Sequence, residues 1–160
     1  MSDYADLPER VIIAVLDTNV LASGMLGLPR EHSVPGELMR RWLIGQFELI
    51  ISEFILDELE HHAFASSYFR SRMTVQEMSQ LLSRLRSEAR LVEITVEVRS
   101  VAPDPDDDQI LATAASARAD YLITGDQQLR DLDGFGATRI RTPREFLTTL
   151  EGGPVSEGES

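Results

Sequence analysis

Residues Val11 to Leu16 form an unbroken apolar run, rich in β-branched side chains, that stops abruptly at Asp17. A run this short with no polar alternation predicts a strand buried on both faces, as in a parallel sheet. Phe47 to Ile51 and Tyr121 to Thr124 read the same way, Ala137 to Ile140 reads as a further strand, and Leu91 to Val98 alternates as a strand should. Between these runs the period lengthens. Pro35-Gly36-Glu37 opens a helix with Leu38, Trp42 and Leu43 on one face, closed by Gly45, and Trp42 reads as core packing. Ser52 caps a helix through Phe54, Ile55, Leu59 and Ala63. Thr74 to Glu77 and Thr142 to Glu145 are capping boxes that start two more. Pro103 to Asp108 is a turn leading into a helix over Gln109 to Arg118. Strands alternating with helices predict an α/β fold, a three-layer sandwich whose central, mostly parallel sheet of four to five strands is flanked by helices. That domain occupies residues 11–150, with residues 1–10 a polar leader and 151–160 an acidic tail expected to be disordered.

At 160 residues and 42% hydrophobic content the chain fits one globular domain. No apolar run approaches the roughly twenty residues of a membrane span, and the acidic start does not resemble a signal peptide, so the expected location is cytoplasmic. Cysteine is absent, which excludes disulfide scaffolds, thiol nucleophiles and Cys-ligated zinc. Every one of the 15 basic residues is arginine. Without lysine, P-loop phosphate binding and Schiff-base chemistry are excluded. The 27 acidic residues bring the net charge to −12, which taken globally argues against a nucleic-acid partner.

The acidic residues are not spread evenly. In parallel α/β sheets ligands bind beyond the carboxyl ends of the strands, and two strands here end in aspartate, Asp17 and Asp126. Asp104 with Asp106 to Asp108 opens the helix that leads into the second of those strands, and Glu58 lies one turn beyond Phe54 in another helix. Each residue alone is an ordinary turn former, cap or surface group. Gathered in one cleft they would raise each other's pKa and need a positive counterion. With no lysine in the chain and no arginine adjacent in sequence to Asp17 or Asp126, a hard divalent cation suits this oxygen-only set, Mg²⁺ or Mn²⁺.

Three strings, VLDTNVLASGML, SEFILDELEHH and PDPDDDQILATAASARADYLITGDQQL, in that order, resemble the PIN domain (PilT N-terminus) family, most closely its bacterial branch of toxins from toxin–antitoxin pairs. The resemblance implies a metal-dependent endoribonuclease with its acidic cluster at the carboxyl edge of a parallel sheet. It implies catalytic and metal-binding roles for Asp17, Glu58, Asp107 and Asp126, with Asn19 and Thr124 as polar companions. The branch commonly has asparagine where this chain has Asp108, which leaves the register within Asp106 to Asp108 open by one residue and makes Asp104 a ligand or a supporting group. One or two Mg²⁺ or Mn²⁺ ions would bind a scissile phosphate oxygen and activate a water for in-line attack. The resemblance further implies a single-stranded RNA substrate, a small antitoxin partner that blocks the site, and a homodimer.

Arg30, in the glycine- and proline-bearing segment after Asn19, is the candidate substrate-binding arginine, while Arg70, Arg72, Arg84, Arg86 and Arg90 lie among glutamates and suit surface ion pairs or phosphates. His61 and His62 follow Glu58 by three and four positions, a spacing that could bring a glutamate and an imidazole to one metal, but with no partner motif on a second helix they read as solvent-facing helix residues. A haloacid-type phosphatase and a phospho-receiver domain both require the missing lysine. The alternative that stays open is a PIN-like binding or scaffold protein with little catalysis, engaged by a protein partner. Seven of the negative charges are the edge residues named above and three are the tail glutamates Glu151, Glu157 and Glu159, leaving a remainder of −2. The acidity is concentrated where cations would neutralise it, and it no longer excludes RNA.

Overall fold

The computed structural model describes residues 10–152, so the expected leader and tail fall outside the described residues except for Arg10, Glu151 and Gly152. Six strands form one sheet in the order β3-β2-β1-β4-β6-β5. These are β1 (Ile13–Leu16), β2 (Glu48–Ile51), β3 (Arg90–Leu91), β4 (Tyr121–Ile123), β5 (Gly134–Phe135) and β6 (Thr138–Arg141). All neighbours are parallel except β5 with β6, whose short hairpin adds the antiparallel edge that takes the count past five. The helices are α1 (Thr18–Gly27), α2 (Val34–Leu43), α3 (Glu53–Glu58), α4 (Ser67–Arg70), α5 (Val75–Glu88), α6 (Pro105–Ala117), α7 (Gln127–Arg130) and α8 (Pro143–Leu150). Among the described residues no helix is long and apolar enough to cross a membrane.

The central strands are the apolar runs seen in the sequence. Ala14, Val15, Leu16, Leu49, Ile50, Ile51, Leu122 and Ile123 are fully buried, as strands covered on both faces require. From β1 the chain moves outward through β2 to β3, then returns across the sheet to place β4 on the other side of β1. This reversal is a topological switch point, where a crevice opens at the carboxyl ends of adjacent strands. The Asp17 N–H donates to the Ile123 carbonyl at 2.9 Å, so the ends of β1 and β4 stop level and release Asp17 and Asp126 on the same side.

Three segments differ from their predicted form, each for a local reason. The strand expected over Leu91 to Val98 pairs only at its start, because β2 ends at Ile51 where Ser52 caps α3 and no partner lies beyond. The Thr95 and Val96 N–H groups donate instead to Ser116 Oγ, at 2.9 and 3.0 Å. The helix expected from Gln109 begins at Pro105, with Asp104 as its N-cap. Helix α1 carries no helical period because its sequence, TNVLASGMLG, is buried at seven of ten positions rather than along one stripe. It packs closely on α2: a Cβ on Gly36 would stand 2.2 Å from the Gly27 carbonyl oxygen.

Two buried hydroxyls tie the site-bearing helices together. Ser52 Oγ and Thr113 Oγ1 lie 2.9 Å apart, and Thr113 Oγ1 in turn donates to the Gln109 carbonyl, which binds the start of α3 to the middle of α6. The elements carrying Glu58 and Asp107 therefore sit in fixed relation.

Candidate active site

The acidic residues that follow β1 and β4 face those at the start of α6 and the end of α3 across a cleft of about 180 Å³. Asp17, Asp104, Asp106, Asp107 and Asp126 line it together with Glu58. Thr18 and Asn19 contribute from the first turn of α1, and Phe54, Ala63 and Ile110 form its apolar side. Among the described residues lining the cleft there is no arginine.

Asp17 is the N-cap residue of α1, yet its side chain makes no cap hydrogen bond. It accepts instead from Thr124 Oγ1 at 2.7 Å, and the fully buried Thr124 hydroxyl also accepts from the Asp126 N–H at 3.0 Å. One threonine thus fixes both strand-end aspartates. Burial pushes the Asp17 carboxyl above its ordinary range, against the Thr124 hydroxyl and the Thr18 N–H, with the Asp126 charge adding to the rise. Asp126 Oδ1 accepts from the Gln128 N–H at 2.8 Å, and Asp104 Oδ1 from the Asp106 N–H at 2.9 Å, so both carboxylates also serve as helix caps.

Asp107 is the most perturbed acid. Burial, then the charges of Asp126, Asp17, Asp104 and Asp106, push its carboxyl up to about 7. Glu58 is raised as well, by burial first and then by Asp106, Asp57 and Asp104, with His62 opposing. Four chain segments thus crowd negative charge into one place, and this crowding is the chemical argument for a divalent cation. As placed, no three of the described His, Asp or Glu side chains form a ready-made ligand group. A second feature points to a ligand. Thr18 is 8% exposed, and its Oγ1, on the wall of the cleft, is the one buried side-chain polar atom among the described residues without a hydrogen-bond partner.

Two sequence candidates stand elsewhere. Asp108 turns away from the cleft and accepts from the Ser100, Val101 and Ala102 N–H groups at 2.8, 3.1 and 2.8 Å. It holds a loop, and of the run left open by the sequence Asp106 and Asp107 line the cleft while Asp108 does not. Arg30 is exposed in the turn after α1 and does not line the cleft; its backbone N–H donates to the Gly27 carbonyl, and its carbonyl accepts from Arg40 and the Ser33 N–H. The arginines of the α4–α5 region largely pair on the surface, Arg84 with Glu88, Arg86 with Glu53, Arg90 with Glu48, and Arg72 stacks over the Tyr68 ring at 3.7 Å.

His62, read from the sequence as solvent-facing, is exposed and also lines the cleft. The helix after Glu58 continues as a π turn over Leu59–Ala63, closed by the Phe64 N–H on the Leu59 carbonyl at 2.8 Å. His61 points outward to Asp57, at 2.9 Å, whereas His62 lines the cleft with Nε2 3.5 Å from Glu58 Oε2. Its four-residue spacing from Glu58 was the available signal.

A profile of the PIN domain family matches residues 13–128, spanning every element that contributes to the cleft. The chain belongs to the PIN domain family. PIN domains are generally nucleases and generally use divalent metal ions. Among solved structures, VapBC2 from Rickettsia felis bound to a DNA fragment from its promoter is similar in fold, with a TM-score of 0.55 at 16% identity, covering 82% of this chain and 98% of that one. No curated protein matches the sequence significantly. The oxygen-rich donor set, the absence of a competing arginine and the orphaned Thr18 hydroxyl fit the divalent ion of this PIN domain's family.

Proposed function

We propose that this PIN domain is a Mg²⁺- or Mn²⁺-dependent endoribonuclease that hydrolyses phosphodiester bonds of single-stranded RNA in the cytoplasm, as the toxin of a toxin–antitoxin pair. The observation that carries the proposal is the convergence of Asp17, Glu58, Asp107 and Asp126 on one cleft at the sheet's switch point. Asp17 and Asp126 are the leading ligands for one or two ions, Glu58 and Asp107 the next, and Asp104 and Asp106 supply further charge at the rim. When bound, the ions neutralise phosphate charge and lower the pKa of water.

The chain's own residues do the rest. Thr124 holds the Asp17 carboxylate through its 2.7 Å hydrogen bond to Oδ2, which fixes its orientation at the cleft. Asp107, partly protonated near pH 7, is a proton store that ionises when positive charge enters. Glu58, across the cleft on α3, offers an acceptor oxygen for orienting the attacking water. Asn19, exposed at the cleft, offers its amide to a substrate oxygen. The fold similarity to VapBC2, a complex bound to a DNA fragment from its promoter, is in keeping with the toxin role and an antitoxin partner, and a homodimer is the assembly we propose beside them.

Asp17→Asn tests the reading. The variant keeps the shape and the Thr124 partner, and it is expected to fold with a normal circular dichroism spectrum while losing Mg²⁺-dependent cleavage of total RNA by at least about a hundredfold. Undiminished cleavage would refute the assignment. A wild-type chain that cleaves nothing and binds no metal would support a binding or scaffold role instead.

A further inference from the structure

The two adjacent histidines sit in a π turn, a one-residue insertion of a kind that recurs at functional sites. His61 pairs with Asp57 outside the cleft, whereas His62, also on the surface, lines the acidic cleft beside Glu58. The register is anchored from below, since Leu59 is fully buried and Phe64, 4% exposed, packs edge-on against Phe69 at 5.1–5.8 Å ring spacing within the Phe64, Tyr68 and Phe69 group.

His62 makes no hydrogen bond to backbone or side chain among the described residues; its one polar neighbour is Glu58 Oε2, at 3.5 Å from Nε2. That separation is long for a hydrogen bond. Two donors bound to one ion at about 2.1 Å each stand about 3.0–3.4 Å apart for octahedral to tetrahedral angles. This i,i+4 pair is therefore also close to the separation at which two donors can share one cation.

We propose that His62 is a nitrogen ligand of the divalent ion held by Glu58, and that it makes this site prefer Mn²⁺ over Mg²⁺. Mg²⁺ demands oxygen donors and keeps its waters, whereas imidazole suits transition metals. Mn²⁺ accepts both the carboxylate majority and one imidazole. Thr18, whose buried hydroxyl has no hydrogen-bond partner among the described residues, lines the same cleft. The inference rests on reading the cleft as a divalent-ion site.

The test is calorimetric titration of the full chain with MnCl₂ and with MgCl₂, alongside electron spin-echo spectroscopy of the Mn²⁺-loaded protein. Wild type is expected to show ¹⁴N modulation from a coordinated imidazole. His62→Ala, at a largely exposed side chain, is expected to lose that modulation and at least about tenfold in Mn²⁺ affinity, with Mg²⁺ affinity changed less than about twofold. His61→Ala is expected to behave as wild type in every respect. Mn²⁺ binding with no nitrogen modulation, or equal losses for both metals in His62→Ala, overturns the His62 assignment and leaves the nuclease reading standing. Absence of Mn²⁺ binding in wild type overturns both.

Discussion

Asp107 and Asp108 are consecutive residues in the first turn of α6, and they leave the helix toward two differently built regions. Asp108 is 6% exposed and accepts three backbone N–H groups from residues 100–102, including Ser100 in the left-handed region at φ 58°. Every charge it brings inside is answered by a donor, as buried carboxylates require. Asp107 enters the cleft, where its neighbours are Asp17, Asp104, Asp106 and Asp126 and nothing cationic answers it, and its carboxyl is pushed up to about 7. The first region shows a carboxylate used to build the fold. The second shows carboxylates held against their own repulsion by the fold, a cost that makes sense where a cation completes the set.

The comparison can be broken in two steps. The larger effect is expected at Asp108. Asp108→Ala leaves three N–H groups without their acceptor and should cost about 3 kcal/mol in urea unfolding. Mn²⁺ affinity should fall only as far as the loop's loss of order disturbs Asp104, and a neutral outcome would show that the three hydrogen bonds hold nothing. The smaller effect has the opposite sign. Asp107 keeps its proton in the folded chain where the unfolded chain releases it, so the metal-free protein should lose stability as pH rises from about 4 through about 7. With screening of a partly exposed carboxyl the change is about 1 kcal/mol. Asp107→Asn should flatten that slope and make the metal-free protein about 1 kcal/mol more stable at pH 8, measured by thermal unfolding across pH. A slope unchanged in the variant would place the repulsion elsewhere.

The same contrast explains what could be read in the sequence. Strands β1, β2 and β4 were legible because an apolar run that ends in a polar residue reports burial directly. The capping boxes at Thr74 and Thr142 were legible because they are local hydrogen-bond arrangements, and both form as predicted. Asp17 and Asp126 were found because strand ends at a switch point are defined by topology. The choice between Asp107 and Asp108 depends on where the loop of residues 100–102 comes to rest, which no helix-start pattern reports. The shortened third strand depends on where its partner β2 ends, a fact about another segment. The four-residue spacing from Glu58 to His62 was legible, but that the helix continues there as a π turn bordering the cleft was not. Arg30 was chosen by proximity in sequence to Asn19, but the ten-residue helix α1 carries the chain away from the cleft before Arg30 is reached. Thr18 passed as an ordinary first-turn residue, and only its burial without a partner marks it.

The central claim is that the cleft is a metal site charged in advance by repulsion among its carboxylates. Its most direct test is titration of the metal-free protein with Mn²⁺ at pH 7 by calorimetry in buffers of different ionisation enthalpy. The account predicts saturable binding coupled to release of a fraction of a proton, with the release lost in Asp107→Asn and the binding lost in Asp17→Asn. Binding that survives Asp17→Asn, or that releases no proton in the wild-type chain, would contradict it.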